Sequence, residues 1–150
     1  MGLFAGSRKG INILAAIFWV LVVIFIAIAT YFAVPVTVST KQALFPFAAV
    51  LAIVFFLLGV ALIFLTLKEK VEKKLKVFLI LTGASSTGFL LSVVLHNFIY
   101  GLFIVLFGQD FWTRIGLADE PVFFIIAIFI CPIVFLVGAI GSIVLFIKKK

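Results

Sequence analysis

Charged residues are scarce in this chain. They make up 11% of its 150 residues, whereas hydrophobic residues make up 67%. A soluble globular domain carries about a quarter charged residues and about half hydrophobic ones. Because small domains keep a large surface fraction, a chain of this length cannot bury so much apolar surface by itself. The composition therefore excludes an ordinary water-soluble domain and indicates that lipid covers the surface.

The side chains that carry most catalytic and metal chemistry are also scarce. The single cysteine, Cys131, excludes an internal disulfide and paired-thiol redox chemistry. The single histidine, His96, excludes bis-histidine haem binding by one chain. No carboxylate falls within an apolar run, so the acid needed by small proton-coupled pumps is missing. We predict that the protein is not an enzyme and binds no cofactor or metal.

Long uncharged runs are what the chain has in abundance. Each of four runs exceeds the roughly 20 apolar residues that a membrane-spanning helix needs. These runs cover residues 10–40, 42–67, 77–109 and 121–147. Because they are continuous rather than alternating, they favour helices over the strands of a barrel. The sequence predicts an all-α single domain over residues 1–150, a four-helix transmembrane bundle with helices at about 11–34, 45–67, 77–100 and 122–147.

The third run is longer than a bilayer requires. Its 33 residues would form a helix about 50 Å long, against a hydrocarbon core of about 30 Å. Residues 102–107 are therefore expected to lie in the interface, to belong to a strongly tilted helix, or to turn back. Further along, Asp119 and Glu120 stand directly before Pro121, a pattern typical of a helix start.

The basic residues are distributed unequally between the two sides of the predicted bundle. Ten of the 12 lysines and arginines fall on one side, and Lys41 and Arg114 fall on the other. The positive-inside rule then predicts a multi-pass protein of the plasma (cytoplasmic) membrane with both termini in the cytoplasm. The basic residues separate apolar runs instead of forming one polar face, so nucleic-acid binding is not predicted. Lipid headgroups are the expected partners of Lys68, Lys70, Lys73, Lys74 and Lys76.

Small and hydroxyl-bearing residues concentrate in GASSTGFLLSVVLHN, residues 83–97. Small residues at a spacing of four let helices approach closely in lipid, where apolar burial gives no drive for association. The third helix offers Ala84, Gly88 and Ser92, and the fourth offers Cys131, Gly138 and Ser142. We predict that the two helices pack through these residues. The hydroxyls are expected to donate to the carbonyl one turn earlier in their own helix.

Polar residues on the third helix also permit a second interpretation. At 100° per residue Ser85, Ser92 and His96 share one side of the helix, and Asn97 follows. His96 falls near the outer headgroups, so a structural or interfacial role is favoured over proton-linked, ligand-binding or metal-binding roles. We predict a non-enzymatic accessory or scaffold subunit, either a homo-oligomer or part of a membrane complex. The alternative is an oligomeric small channel or transporter whose polar path follows Ser85, Ser92, His96 and Asn97.

Two segments of the chain resemble a known group of proteins. GASSTGFLLSVVLHNFIYGLF from residue 83 and DEPVFFIIAIFICPIVFLVGAIGSIVLF from residue 119 are similar to small four-helix prokaryotic membrane proteins that carry no assigned function. The resemblance covers the third and fourth helices better than the first and second. It implies a location in a prokaryotic plasma membrane, and it supplies no catalytic residue.

Overall fold

Four helices long and apolar enough to cross a membrane make up the described part of the protein. A computed structural model describes the backbone of residues 8–148 and the side chains of residues 10–148, and no strand occurs in that part. The first three spanning helices are Arg8–Ala33, Val38–Lys68 and Lys73–Phe107. The fourth is built from Pro121–Ile125, a π-helical segment Ile126–Ile130, and Cys131–Ile147, and a one-turn helix, Phe111–Arg114, precedes it. The predicted all-α, four-helix transmembrane architecture is confirmed, and the chain is a multi-pass membrane protein.

The second helix starts earlier than predicted. It begins at Val38, so Pro46 lies inside the helix rather than at its start. Thr37 caps the helix, because its side chain accepts a hydrogen bond from the Thr40 N–H at 3.3 Å. Such a cap stabilises the first turn. The predicted core at about 45–67 lies within this helix, and the threonine cap sets its first residue.

The third helix continues without a break through residues 102–107. It has 35 residues and ends at Phe107, which corresponds to a length of about 52 Å. Gly101 lies inside it, and Gly108 ends it with a φ of 97°, in the left-handed region that favours glycine. The sequence left three alternatives for residues 102–107. The one in which the chain turns back at residue 102 is therefore wrong.

The third helix is the centre of the bundle. It packs against the second helix on one side and the fourth on the other, while the first helix packs mainly on the second. The inward face of the first helix is apolar at intervals of three and four residues, as a buried helix stripe requires. Its buried residues are Leu14, Phe18, Leu21, Ile24 and Ile28. Phe25 of this helix stacks on Phe135 of the fourth, with 4.2 Å between ring centroids.

One end of the bundle carries most of the lysines. This lysine-rich end contains the non-helical residues 69–72, which join the second helix to the third. The Glu69 carboxylate lies against Gly10, in the first turn of the first helix, where a Cβ would overlap it. A carboxylate is favourable there because the helix N-terminus carries partial positive charge. Glu69 thus ties the connecting segment to the start of the first helix.

Candidate functional site

Gly138 marks the closest approach between the third and fourth helices. A Cβ added to it would lie 2.6 Å from Thr82 Oγ1, 2.7 Å from Thr82 N and 2.9 Å from Phe78 O. Two of these three atoms belong to the backbone, so a side chain does not fit unless the helices separate. Gly88 is less constrained, because its Cβ would meet only Cys131 Sγ, at 3.3 Å. Gly88, Cys131 and Gly138 therefore do lie between the two helices.

A second glycine contact, between the second and third helices, was missed from the sequence. A Cβ on Gly59 would lie 2.8 Å from Ser86 Cβ and 2.9 Å from Gly83 O. A Cβ on Gly83 would lie 2.8 Å from Gly59 O. The two glycines face each other because of the register between the helices. Sequence spacing within one helix carries no signal for such a pairing.

Ala84 was predicted to pack against the fourth helix, and that prediction is wrong for the single chain. Ala84 is exposed, whereas its neighbours Thr82, Gly83 and Ser85 are buried. The buried side of the third helix is centred near Leu79, and at 100° per residue Ala84 points almost opposite to it. Ser142 of the fourth helix is fully buried as expected of a packing residue, but its hydroxyl has no hydrogen-bond partner among the described residues.

Four hydroxyls of the third helix bond within that helix. They donate to a carbonyl one turn earlier, as predicted for Ser85, Ser86 and Thr87, whereas Ser92, the fourth hydroxyl of residues 83–97, is not among them. The bonds run from Thr82 to Phe78 O (2.9 Å), from Ser85 to Leu81 O (2.8 Å), from Ser86 to Thr82 O (2.7 Å) and from Thr87 to Gly83 O (2.9 Å). Their hydrogen-bond donors are thus occupied, so none of these four residues requires a ligand to be stable in the membrane.

His96 joins the third helix to the start of the fourth. Its Nδ1 lies 3.0 Å from Glu120 O and 3.3 Å from Glu120 Oε2, and its Nε2 lies 3.5 Å from Asp119 Oδ2. Because Nδ1 faces two oxygen acceptors, it carries a proton. The Glu120 carboxylate also caps the fourth helix, accepting from Val122 N at 2.7 Å and Phe123 N at 3.0 Å. This places the predicted acidic and proline helix start directly against the histidine.

The four residues of the predicted polar path do not line one common path through the protein. Asn97 is exposed and donates to Val93 O at 2.8 Å. Ser85 and Ser92 are buried, and His96 is engaged with the start of the fourth helix. In the single chain, therefore, these side chains do not form a continuous line of polar groups. Within residues 10–148, no group of three or more His, Cys, Asp or Glu side chains is arranged to hold a metal ion.

Two apolar cavities lie beside the first helix, each of about 260 Å³. The cavity with more aromatic residues in its wall lies between the first, third and fourth helices, and Phe55 of the second helix completes the wall. We call it the lateral cavity. Ser85, Cys131 and Pro132 also line it. The other cavity lies between the first, second and third helices. Ile28, Phe32 and Phe89 line both, so the two cavities are neighbours.

The end of the third helix farthest from the lysine-rich end packs against the loop that follows, and together they form an aromatic cluster. Trp112 stacks on Tyr100 with 5.9 Å between ring centroids, and its Nε1 donates to Tyr100 O at 3.2 Å. Arg114 Nη2 donates to Phe107 O at 2.6 Å. These contacts cover one side of the helix end. The other side is bare, and Val105 there is 82% exposed.

The lysines predicted to meet lipid headgroups surround the turn between the second and third helices. Lys68, Lys70, Lys73 and Lys74 are exposed, and Lys76 is half-buried. Their side chains are therefore accessible from outside the bundle. Arg8 and Lys9 contribute to the same charge bias, but their side chains lie outside the described residues, as do Lys149 and Lys150.

Comparisons with protein-family models, with curated proteins and with solved structures found no match to this chain.

Proposed function

We propose that this protein is a non-enzymatic accessory or scaffold subunit of a membrane assembly. The observation that carries the proposal is the bare apolar side of the third helix at its far end. Here we call residues 97–107 the helix-three tip. Its exposed apolar residues away from the aromatic cluster are Phe98, Leu102, Val105 and Leu106.

The helix-three tip projects beyond the start of the fourth helix. Because His96 contacts Glu120, the start of the fourth helix is level with residue 96 of the third. From there the tip extends about 16 Å as helix, and still rises about 12 Å at a steep tilt of about 40°. The headgroup region adds only about 5 to 8 Å on each side of the hydrocarbon core. With the hydrocarbon boundary at the start of the fourth helix, lipid tails do not reach the end of the tip.

Exposed apolar surface outside hydrocarbon marks a site of protein contact. The partner is either a second copy of this chain or another membrane protein, and in both cases the tip is the surface that it covers. The hydrogen bonds of the third-helix hydroxyls favour a role in assembly over the channel alternative.

A photo-crosslinking amino acid at Val105 tests the proposal in intact membranes. We expect a discrete protein adduct: twice the mass of the chain identifies a second copy, and any other defined mass identifies a different partner. The matched control is the same amino acid at Val23, which is 65% exposed in the middle of the first helix. Lipid adducts alone at both positions would overturn the proposal.

We further propose that the lysine-rich end faces the cytoplasm of a prokaryotic cell and that its lysines contact anionic headgroups. The support is the bias of ten basic residues against two. Lys70→Cys and Thr113→Cys, each treated in intact cells with a membrane-impermeant maleimide, test the orientation. Only Thr113→Cys should be labelled, since Cys131 is buried and gives little background. Labelling of Lys70→Cys instead would reverse the assigned orientation.

A further inference from the structure

The lateral cavity lies in the middle of the membrane-spanning region. Ser85, on its wall, is nine residues from Lys76 and eleven from His96, which is about 14 Å and 16 Å along the helix. Ala29 and Phe32 line the cavity and are also exposed on the outside of the first helix. The mouth of the cavity thus opens sideways. Whatever enters it comes from the hydrocarbon of the bilayer.

The wall formed by the fourth helix contains a carbonyl that has lost its usual donors. In a regular helix the Ala127 carbonyl would accept from the N–H of Cys131. That N–H instead bonds Ile126 O in the π-helical segment. The next N–H along the chain is missing, because residue 132 is proline. Ala127 is only 2% exposed, and it lines the cavity together with Cys131 and Pro132.

No side chain on the cavity wall supplies a strong replacement donor. The Ser85 hydroxyl already donates within its own helix, to Leu81 O at 2.8 Å and Thr82 O at 3.0 Å. The Cys131 thiol is a weak donor. In hydrocarbon a carbonyl without a donor is costly, so a bound hydroxyl group is stabilised at this position. π-Helical segments of this kind are frequent at functional sites.

We infer that the lateral cavity binds a membrane-soluble molecule with a hydroxyl group on a compact ring, a phenol or a cyclic alcohol. Four phenylalanine rings form most of the remaining wall and suit a flat apolar body: Phe25, Phe55, Phe89 and Phe135. The hydroxyl donates to the Ala127 carbonyl. This site is distant from the helix-three tip, so the inference stands or falls independently of the assembly proposal.

Photolabelling of the full-length protein in lipid nanodiscs tests the inference. The label is an alkylphenol that carries a diazirine, and the competitors are 2,6-diisopropylphenol and its methyl ether. The two competitors match in shape, but the ether lacks the donor. We expect labelled peptides to contain Phe89 or Cys131, and the ether to compete about tenfold more weakly than the phenol. Equal competition would show an apolar slot for lipid chains and overturn the inference.

Two tryptophan variants of the first helix locate the label. Ala29→Trp fills the mouth of the cavity and should abolish labelling. Ala27→Trp is the matched control, since Ala27 is exposed on the same helix but lines neither cavity, and it should label like the parent protein. If both variants label equally, the probe binds elsewhere.

Pro132→Ala tests the carbonyl itself. Alanine restores an N–H at the position where the helix lacks one and is well tolerated in a helix. Labelling should persist, but the preference for the phenol over its methyl ether should disappear. The new N–H can bond the Ala127 carbonyl by continuing the pattern in which the Cys131 N–H bonds Ile126 O. A preference that survives Pro132→Ala would show that the bulge carbonyl does not hold the hydroxyl.

Discussion

Replacement of Gly138 by alanine should separate the third and fourth helices. The added Cβ would lie 2.6 to 2.9 Å from three atoms of Thr82 and Phe78. To restore ordinary contact distances, the helices must move apart by roughly 0.5 to 0.8 Å, a gap that forfeits a quarter or more of each dispersion contact along the interface. Overpacking of this kind destabilises the folded state by about 1 to 3 kcal/mol. The higher helix propensity of alanine relative to glycine stabilises it by about 0.5 to 1 kcal/mol. We expect a net loss of about 1 kcal/mol.

The loss is measured by unfolding the purified protein in mixed micelles of increasing dodecyl sulfate content, with fluorescence of Trp19 and Trp112 as the signal. Gly101→Ala is the matched control, because a Cβ there meets nothing within 4 Å. It should be unchanged or about 0.5 to 1 kcal/mol more stable. Gly88→Ala should fall between the two, since its Cβ meets only a side-chain sulfur. Equal stability of Gly138→Ala and Gly101→Ala would refute the close approach of the helices.

Three further outcomes are expected. Glu120→Ala removes the cap of the fourth helix and should lower the free energy of unfolding by about 1 kcal/mol in the same titration. The double variant with His96→Ala should lose less stability than the sum of the two single variants, because the two residues are in contact. His96→Ala alone should leave proton flux through proteoliposomes at the level of empty liposomes, as should the parent protein; a flux that this substitution abolishes would support the channel alternative. Gly10→Ala should displace the Glu69 carboxylate, so trypsin should cleave at Lys70 faster than in the parent protein.

Several features of the protein follow from local sequence. The uncharged runs predict the four spanning helices, because a chain in hydrocarbon must pair its backbone groups within each segment. The start of the fourth helix is predicted by the acidic residues before Pro121, and the occupied hydroxyls of residues 82–87 follow from their place inside a helix. Each of these depends on residues within about one helical turn of each other.

The tertiary structure alone decided which faces meet. The contact between Gly59 and Gly83, the exposed position of Ala84 and the bond from His96 to Glu120 all depend on helix rotation and register. In a soluble protein an apolar stripe reveals the buried side of a helix. These helices are apolar all round, and lipid is as apolar as the interior, so hydrophobicity does not distinguish the side that packs. The side that packs is the one where the backbones of two helices approach closely. That approach can be recognised only when the position of the neighbouring helix is known.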